Sequence, residues 1–218
     1  MSFLPYQNLK ANIDNKWNQI LKDHSKEINC KSGCHSCCHP ELTVGLVEAL
    51  AIFQSFQKDP TLLETCLENE KKNPFQNQRC RFLSEEGSCL IYDVRPVVCA
   101  THGAPILMEI EEPKNTKAPK NQMAKKSNTP KNSQTQKSNA QEQVFLDCCH
   151  LNFTQGIKVQ QGEWFNQETL SIILNLLNQH FLKDQELIRI PLKPSAFVDH
   201  PILASYLPQF EGNEEEAE

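Results

Sequence analysis

The stretch Cys30-Lys-Ser-Gly-Cys34-His-Ser-Cys37-Cys38 places four cysteines within nine residues. The chain has 218 residues and 39% apolar side chains, enough for a core of its own. Thiols at this spacing have few structural uses in such a chain. They suit zinc or an iron–sulfur cluster, both of which are held by several thiolates that converge on one point. The stretch therefore predicts a metal site to which other parts of the chain contribute.

The remaining cysteines extend this candidate site. Cys66 shares a helical face with Leu62, Leu63 and Leu67, so we predict that it is a core residue. Zinc and a [4Fe–4S] cluster each take four protein ligands, so the remaining nine exceed either need. One centre with spare thiols and two separate centres both stay open. The predicted metal ligands are Cys30, Cys34, Cys37, Cys38, Cys80, Cys89, Cys99, Cys148 and Cys149.

Adjacent cysteines bear on the number of centres. We expect Cys37 and Cys38 to point different ways, which would prevent both from binding one ion without strain. This expectation favours either two sites or a cluster of several metal atoms. For the last pair, Cys148 and Cys149, the sequence does not decide which one is a ligand.

Histidines and one arginine accompany the cysteines. Four histidines each lie within three residues of a candidate cysteine, which suits either mixed Cys/His coordination or an outer shell that orients the thiolates. Two roles stay open for Arg95: it offsets the negative charge of the thiolates, or it is an ordinary surface cation. The histidines are His35, His39, His102 and His150. His24 falls on an apolar stripe, and we predict that it packs rather than binds metal.

The spacing of apolar residues predicts a helix-rich α+β fold. A turn at Gly87 predicts a short β-hairpin over 78–92 that carries Cys80 and Cys89. Pro96 predicts a short helix with Cys99 in its first turn, where the helix dipole favours thiolate. The residues from Glu41 to Thr43 look extended. The other predicted helices cover 8–28, 44–57, 60 to about 73, and 167–183.

We predict one cysteine-cluster metal-binding domain, formed by residues 1–110 together with 144–185. Residues 111–143 form a lysine-rich, low-complexity insert that we expect to be disordered. Residues 186–218 form a C-terminal extension that ends in an acidic tail.

The charge is unevenly distributed along the chain. The formal net charge is −5, yet 113–141 holds seven lysines and no acid. The rest has 15 basic against 27 acidic side chains, a balance of −12. This acidic body argues against nucleic acid as the main partner. A protein partner for the insert or the tail stays open.

We expect a cytoplasmic protein. The N-terminus lacks the apolar segment of a signal peptide, and no window approaches a membrane span. Thiols are kept reduced in the cytoplasm, which disfavours a disulfide framework.

Three stretches of the chain combine into one cysteine pattern. They are Asn29-Cys30-Lys-Ser-Gly33-Cys34-His-Ser-Cys37-Cys38, Arg79-Cys80-Arg-Phe-Leu, and Gly87-Ser-Cys89-Leu-Ile-Tyr92-Asp93-Val-Arg95-Pro96-Val-Val-Cys99. Together they resemble the YkgJ-type cysteine-cluster family, whose CxxCxxCC domain chelates zinc or iron. The resemblance covers about 29–103, with a last cysteine at Cys148 or Cys149. It implies metal chelation, and the lysine-rich insert departs from the family pattern.

Three functions follow as expectations. The first is a cytoplasmic metal-binding protein with a cysteine-ligated centre, iron–sulfur in preference to zinc because of ligand softness and crowding. The second is an iron–sulfur-dependent enzyme, either a redox catalyst or one like the lysine N-methylases that some relatives resemble. No further motif supports that activity, since the chain lacks a Rossmann fingerprint, a phosphate loop and HExxH. The third is an interaction module stapled by zinc.

Overall fold

The computed structural model describes residues 3–38, 42–72, 79–110, 143–182, 188–198 and 200–206. Its α-helices are α1 Leu4–Asp23, α2 Leu46–Lys58, α3 Pro60–Lys72, α4 Val97–Thr101, α5 Gln167–Leu182 and α6 Pro201–Tyr206. Its strands are β1 Thr43–Gly45, β2 Ile106–Ile110, β3 Gln143–Asp147, β4 Phe165–Asn166 and β5 Arg189–Pro191. Short 3₁₀ turns cover Tyr92–Val94 and Pro194–Ala196. Nearly all of the predicted insert, and the acidic tail, lie outside the described residues.

Two small sheets accompany the helices. In the first, β1 pairs with β5 in antiparallel fashion, with Val44 opposite Ile190. In the second, β2 lies between β3 and β4, antiparallel to the former and parallel to the latter. The mixture of many helices with short strands confirms the predicted helix-rich α+β class. None of the helices within the described ranges is long and apolar enough to cross a membrane.

Helix α2 forms the centre of the core. Nine of its thirteen residues are buried, because its sequence is apolar around most of the helix circumference. Phe56 on α2 packs against Phe82 and Phe197, with ring centroids 6.4 and 5.7 Å away. Phe82 comes from the cysteine-rich segment and Phe197 from the predicted C-terminal extension. Residues of both segments therefore share one core with α2.

Helix α1 covers Leu4–Asp23, so it both begins and ends earlier than the predicted range of 8–28. It ends there because residues of the next turn bond to residues that are distant in the sequence. His24 bonds to Oε2 of Glu27 at 2.8 Å and to Oε2 of Glu163 at 3.1 Å, while the Phe153 N–H donates to the Glu27 carbonyl at 2.8 Å. His24 also packs at 5.3 Å from the Phe153 ring, so it is a packed histidine as predicted.

Helix α3 begins as the sequence predicts. The Asp59 carboxylate accepts hydrogen bonds from the backbone N–H groups of Thr61 and Leu62 at 3.1 and 3.3 Å. Cys66 on this helix is completely buried within the core, also as predicted. Helix α2 begins at Leu46 rather than at 44, because the preceding residues pair with β5.

Candidate metal centre

One cavity of about 480 Å³ gathers most of the predicted ligands. The thiols come from the loop 30–38, from the turn 80–89, and from α4. All ten cysteines of the chain are free, so no disulfide links these segments. The cysteines that line the cavity are Cys30, Cys34, Cys37, Cys38, Cys80, Cys89 and Cys99.

Local turns hold the loop 30–38 in place without a helix or strand. The Cys34 N–H donates to the Lys31 carbonyl at 3.0 Å, and the Cys38 N–H donates to the His35 carbonyl at 2.9 Å. The Cys80 N–H then donates to the Cys38 carbonyl at 3.2 Å. This last bond joins the loop directly to the segment that carries the next cysteines.

The segment predicted as a hairpin is a tight turn with a single antiparallel bridge, between Leu83 and Cys89. Two strands do not form there because Phe82 and Leu83 turn into the core, where they are 0% and 2% exposed. Gly87 has a φ of +83°, and a Cβ added to it would lie only 2.7 Å from Nδ1 of His35. The turn therefore packs closely against the first cysteine loop, and glycine is needed for that approach.

Helix α4 carries Cys99 in its first turn, as predicted. The carboxylate of Glu48 on α2 accepts a hydrogen bond from the Val97 N–H at 2.9 Å, which anchors the start of the helix. Burial raises the pKa of Cys99 to about 12, and the charges of neighbouring thiols and Glu48 act in the same direction. Any stabilisation of thiolate by the dipole of this five-residue helix is therefore smaller than the effect of burial.

The adjacent cysteines Cys37 and Cys38 line the same cavity. The neighbouring Cys38 thiol and burial both raise the pKa of Cys37. Because both residues line this cavity, one centre as well as two stays open. The expectation that their side chains point different ways stays a prediction.

The donor set of the cavity fits a soft metal. Thiols are its main donor groups, and no carboxylate of the described residues lines it. The thiols do not form a finished site, since no three Cys, His, Asp or Glu side chains within the described ranges are arranged to hold an ion. Binding would therefore have to draw the loop 30–38 and the turn 80–89 closer together, until sulfur–metal distances reach about 2.3 Å.

Two cations also line the cavity, Lys31 and Arg95. The Arg95 guanidinium lies 4.0 Å above the centre of the Tyr92 ring, a cation–π contact that orients it. The positive charge of Arg95 opposes the rise that burial causes in the pKa of Cys89 and Cys99. Arg95 is thus placed to stabilise thiolates, rather than being a cation remote from the site.

The histidines differ in their relation to the cavity. His102 lines it, at the end of α4. His35 lies beside the lining, with Nδ1 at 3.0 Å from the Gly33 carbonyl oxygen. His150 is exposed to solvent. His39 lies outside the described residues.

The last cysteine pair, Cys148 and Cys149, does not line the cavity. Both nevertheless lie near Cys30, since the Asn152 N–H donates to the Cys149 carbonyl at 2.8 Å and the Asn152 side chain donates to Cys30 Sγ at 3.2 Å. The charge of Cys149 accordingly raises the pKa of Cys30, and that of Cys30 raises the pKa of Cys148. In each case burial is the larger cause. The pair flanks the cavity beside its first cysteine.

Asn152 connects these segments and was not predicted from the sequence. Its side chain is almost fully buried, and Nδ2 donates to Cys30 Sγ at 3.2 Å and to the Gly103 carbonyl at 2.8 Å. Oδ1 accepts from the Asn29 N–H at 2.8 Å. The only signal in the sequence is the position of Asn152 shortly after Cys149, and an asparagine in a loop otherwise indicates a turn.

Gly103 completes the surroundings of Cys30. It has a φ of +100°, and a Cβ at this position would lie 2.9 Å from Cys30 Sγ. A larger residue would push the cysteine sulfur out of its place.

Residues 29–123 match the family model CxxCxxCC, described as "Putative zinc- or iron-chelating domain". Over these residues the chain is similar to that domain. The matched region begins one residue before Cys30 and includes all seven cysteines of the cavity, while Cys148 and Cys149 lie beyond it. The match supports metal binding in general. No curated protein and no solved structure matches the chain.

Proposed function

We propose that this protein binds a metal centre through the thiolates of the CxxCxxCC domain, and that the centre is an iron–sulfur cluster of the [4Fe–4S] type. The observation that carries the proposal is the lining of one cavity by seven free cysteines. Such a cluster takes four thiolates and supplies one-electron redox chemistry when bound. We place the protein in a reducing compartment, the cytoplasm, where these thiols stay free.

The ligands would be four of the seven cavity cysteines, with Cys148 or Cys149 as further candidates. Burial raises the pKa of Cys80 and Cys89, so protons occupy these thiols unless a metal replaces them. Four thiolates around a divalent ion carry a net charge of about −2. The cations Lys31 and Arg95 in the cavity wall offset that charge.

Zinc is the second candidate, and the irregular loop 30–38 favours it. The loop contains neither helix nor strand, so a structural zinc ion that ties it to Cys80 and Cys89 would stabilise the fold. In that case the protein would be an interaction module rather than a redox protein.

The deciding experiment is metal and sulfide analysis of protein purified without oxygen, paired with electron paramagnetic resonance. We expect about four iron and four sulfide per chain, with broad visible absorption that bleaches on reduction. A colourless protein with stoichiometric zinc would show that the centre is zinc rather than a cluster, and the proposal of metal binding would remain. A protein that holds neither metal would overturn the proposal.

Single substitutions connect the metal to the cavity. We expect Cys80→Ser, Cys89→Ser and Cys99→Ser each to lower the metal content. Cys66→Ala is the matched control, because Cys66 is buried in the core and does not line the cavity. It should lose about 1 kcal/mol of stability and keep its metal. Equal loss of metal in all four variants would point to a general folding defect.

A further inference from the structure

We propose that the same cavity binds a small carboxylate with an apolar body, next to the metal centre. This inference rests on the proposed function, because the carboxylate would lie beside the proposed metal centre. It names a ligand class for the part of the cavity that the metal does not fill.

The size of the cavity is the first argument. Its volume of about 480 Å³ lies within the range of about 300–1,000 Å³ that is typical of small-molecule sites. A single metal ion is comparable in size to a water molecule, which takes about 30 Å³. On the same scale, the eight atoms of a [4Fe–4S] cluster would take roughly half of the cavity. The loop 30–38 and the turn 80–89 would move together on metal binding, so the remaining space takes at most about eight to ten further non-hydrogen atoms.

The nature of the remaining wall is the second argument. Besides the thiols, the cavity is lined by the buried side chains of Trp17, Phe82 and Leu192, which are 5%, 0% and 3% exposed. Metal coordination uses none of these groups. Burying an apolar ligand against them removes its surface from water at about 25 cal/mol per Å². The thiol-free part of the cavity is therefore suited to a hydrocarbon chain or ring.

The charge at the cavity is the third argument. No carboxylate of the described residues lines the cavity, and among them Arg95 makes no ion pair with an acidic side chain. Its guanidinium is held above Tyr92 and presents planar donors that match a carboxylate. Lys31 and Arg95 also offset the charge of bound thiolates, so the preference for a carboxylate rests on direct pairing with the Arg95 guanidinium rather than on the net charge of the cavity.

The mouth of the cavity is also apolar. Tyr92 and Val98 line it while being 56% and 44% exposed, so an amphipathic molecule meets apolar surface beside Arg95. The ligand would place its apolar body against Trp17 and Phe82 and its carboxylate against Arg95.

The test is calorimetric titration of the metal-loaded protein with octanoate, which has ten non-hydrogen atoms, below its micelle-forming concentration. We expect saturable binding of about one octanoate per chain. Octylammonium, with the same chain and the opposite charge, should bind at least about tenfold more weakly. Arg95→Gln should weaken octanoate binding by about tenfold or more, with metal content measured in the same samples.

Two further variants locate the ligand. Leu42→Phe adds volume in the cavity wall and should weaken octanoate binding, whereas Ile172→Phe on the exposed side of α5 should not. Octanoate that fails to bind fully metal-loaded protein, or that binds no better than octylammonium, overturns this inference and leaves the metal centre standing. Unchanged octanoate affinity in Arg95→Gln also overturns it, since Arg95 would then serve the thiolates alone. Octanoate binding by a chain that never holds metal would support the carboxylate site and overturn the proposed function.

Discussion

The side-chain amide of Asn152 donates a hydrogen bond to Cys30 Sγ at 3.2 Å, across 122 positions of the sequence. The same amide nitrogen bonds to the carbonyl of Gly103, just after α4. One buried residue thereby connects the first cysteine of the cavity, the end of the helix that carries Cys99, and the segment that follows Cys148 and Cys149. The arrangement of these three segments around the cavity therefore depends on Asn152 as well as on the thiols.

Asn152→Ala should destabilise the protein and alter the metal centre. It leaves the Asn29 N–H and the Gly103 carbonyl without their partner, which costs about 2–4 kcal/mol of unfolding free energy. Loss of the N–H to Cys30 Sγ should also shift the reduction potential of a bound cluster to a more negative value. Urea unfolding and redox titration measure the two effects. Asn175→Ala, exposed on α5, is the control and should change neither.

Gly103→Ala should displace Cys30. Its φ of +100° costs an alanine about 1–2 kcal/mol, and the new Cβ would meet Cys30 Sγ at 2.9 Å. Gly162→Ala is a matched control, because its φ is +95° and no atom lies within 4 Å of an added Cβ. Metal analysis of both variants should show reduced metal only in Gly103→Ala. Normal metal content in both would show that the close approach to Cys30 does not matter for binding.

His24 should make stability depend on pH. Burial by itself would lower the pKa of His24, but its hydrogen bonds to Glu27 and Glu163 raise the pKa above the ordinary value. The stabilisation is therefore complete below the unfolded-state pKa of about 6.5 and is lost as pH rises through the higher folded-state pKa.

The measurement is the difference in unfolding free energy between the native protein and His24→Gln. We expect this difference to be larger by about 1 kcal/mol near pH 5.5 than near pH 8.5, an estimate reduced for the partial exposure of Glu27. The same difference at both pH values would mean that the histidine is not charged in the folded protein.

Cys148→Ser and Cys149→Ser should retain the metal, because neither side chain lines the cavity. Cys99→Ser should lose it, since Cys99 does line the cavity. Iron and zinc content per chain decides the comparison. Metal loss in Cys148→Ser or Cys149→Ser would extend the ligand set beyond residues 29–123.

Local patterns were good guides to the helices. The cap at Asp59 and the proline after it predict the start of α3, and the apolar spacing after Gln167 predicts α5, because both signals act within one or two turns. The end of α1 and the missing hairpin strands were not predictable in this way. They depend on Glu163, Phe153 and the core around Phe82, which are distant in sequence.

The chemistry of the site was determined by the sequence alone, because the identity and spacing of cysteines limit which metals a chain suits. Its α+β class likewise follows from the local period of apolar residues. Only the tertiary structure decided which cysteines share a cavity, that Cys37 and Cys38 both line it, and that Asn152 supports Cys30. These relationships arise from burial and hydrogen bonding between segments far apart in the chain, and no local pattern of residues encodes them.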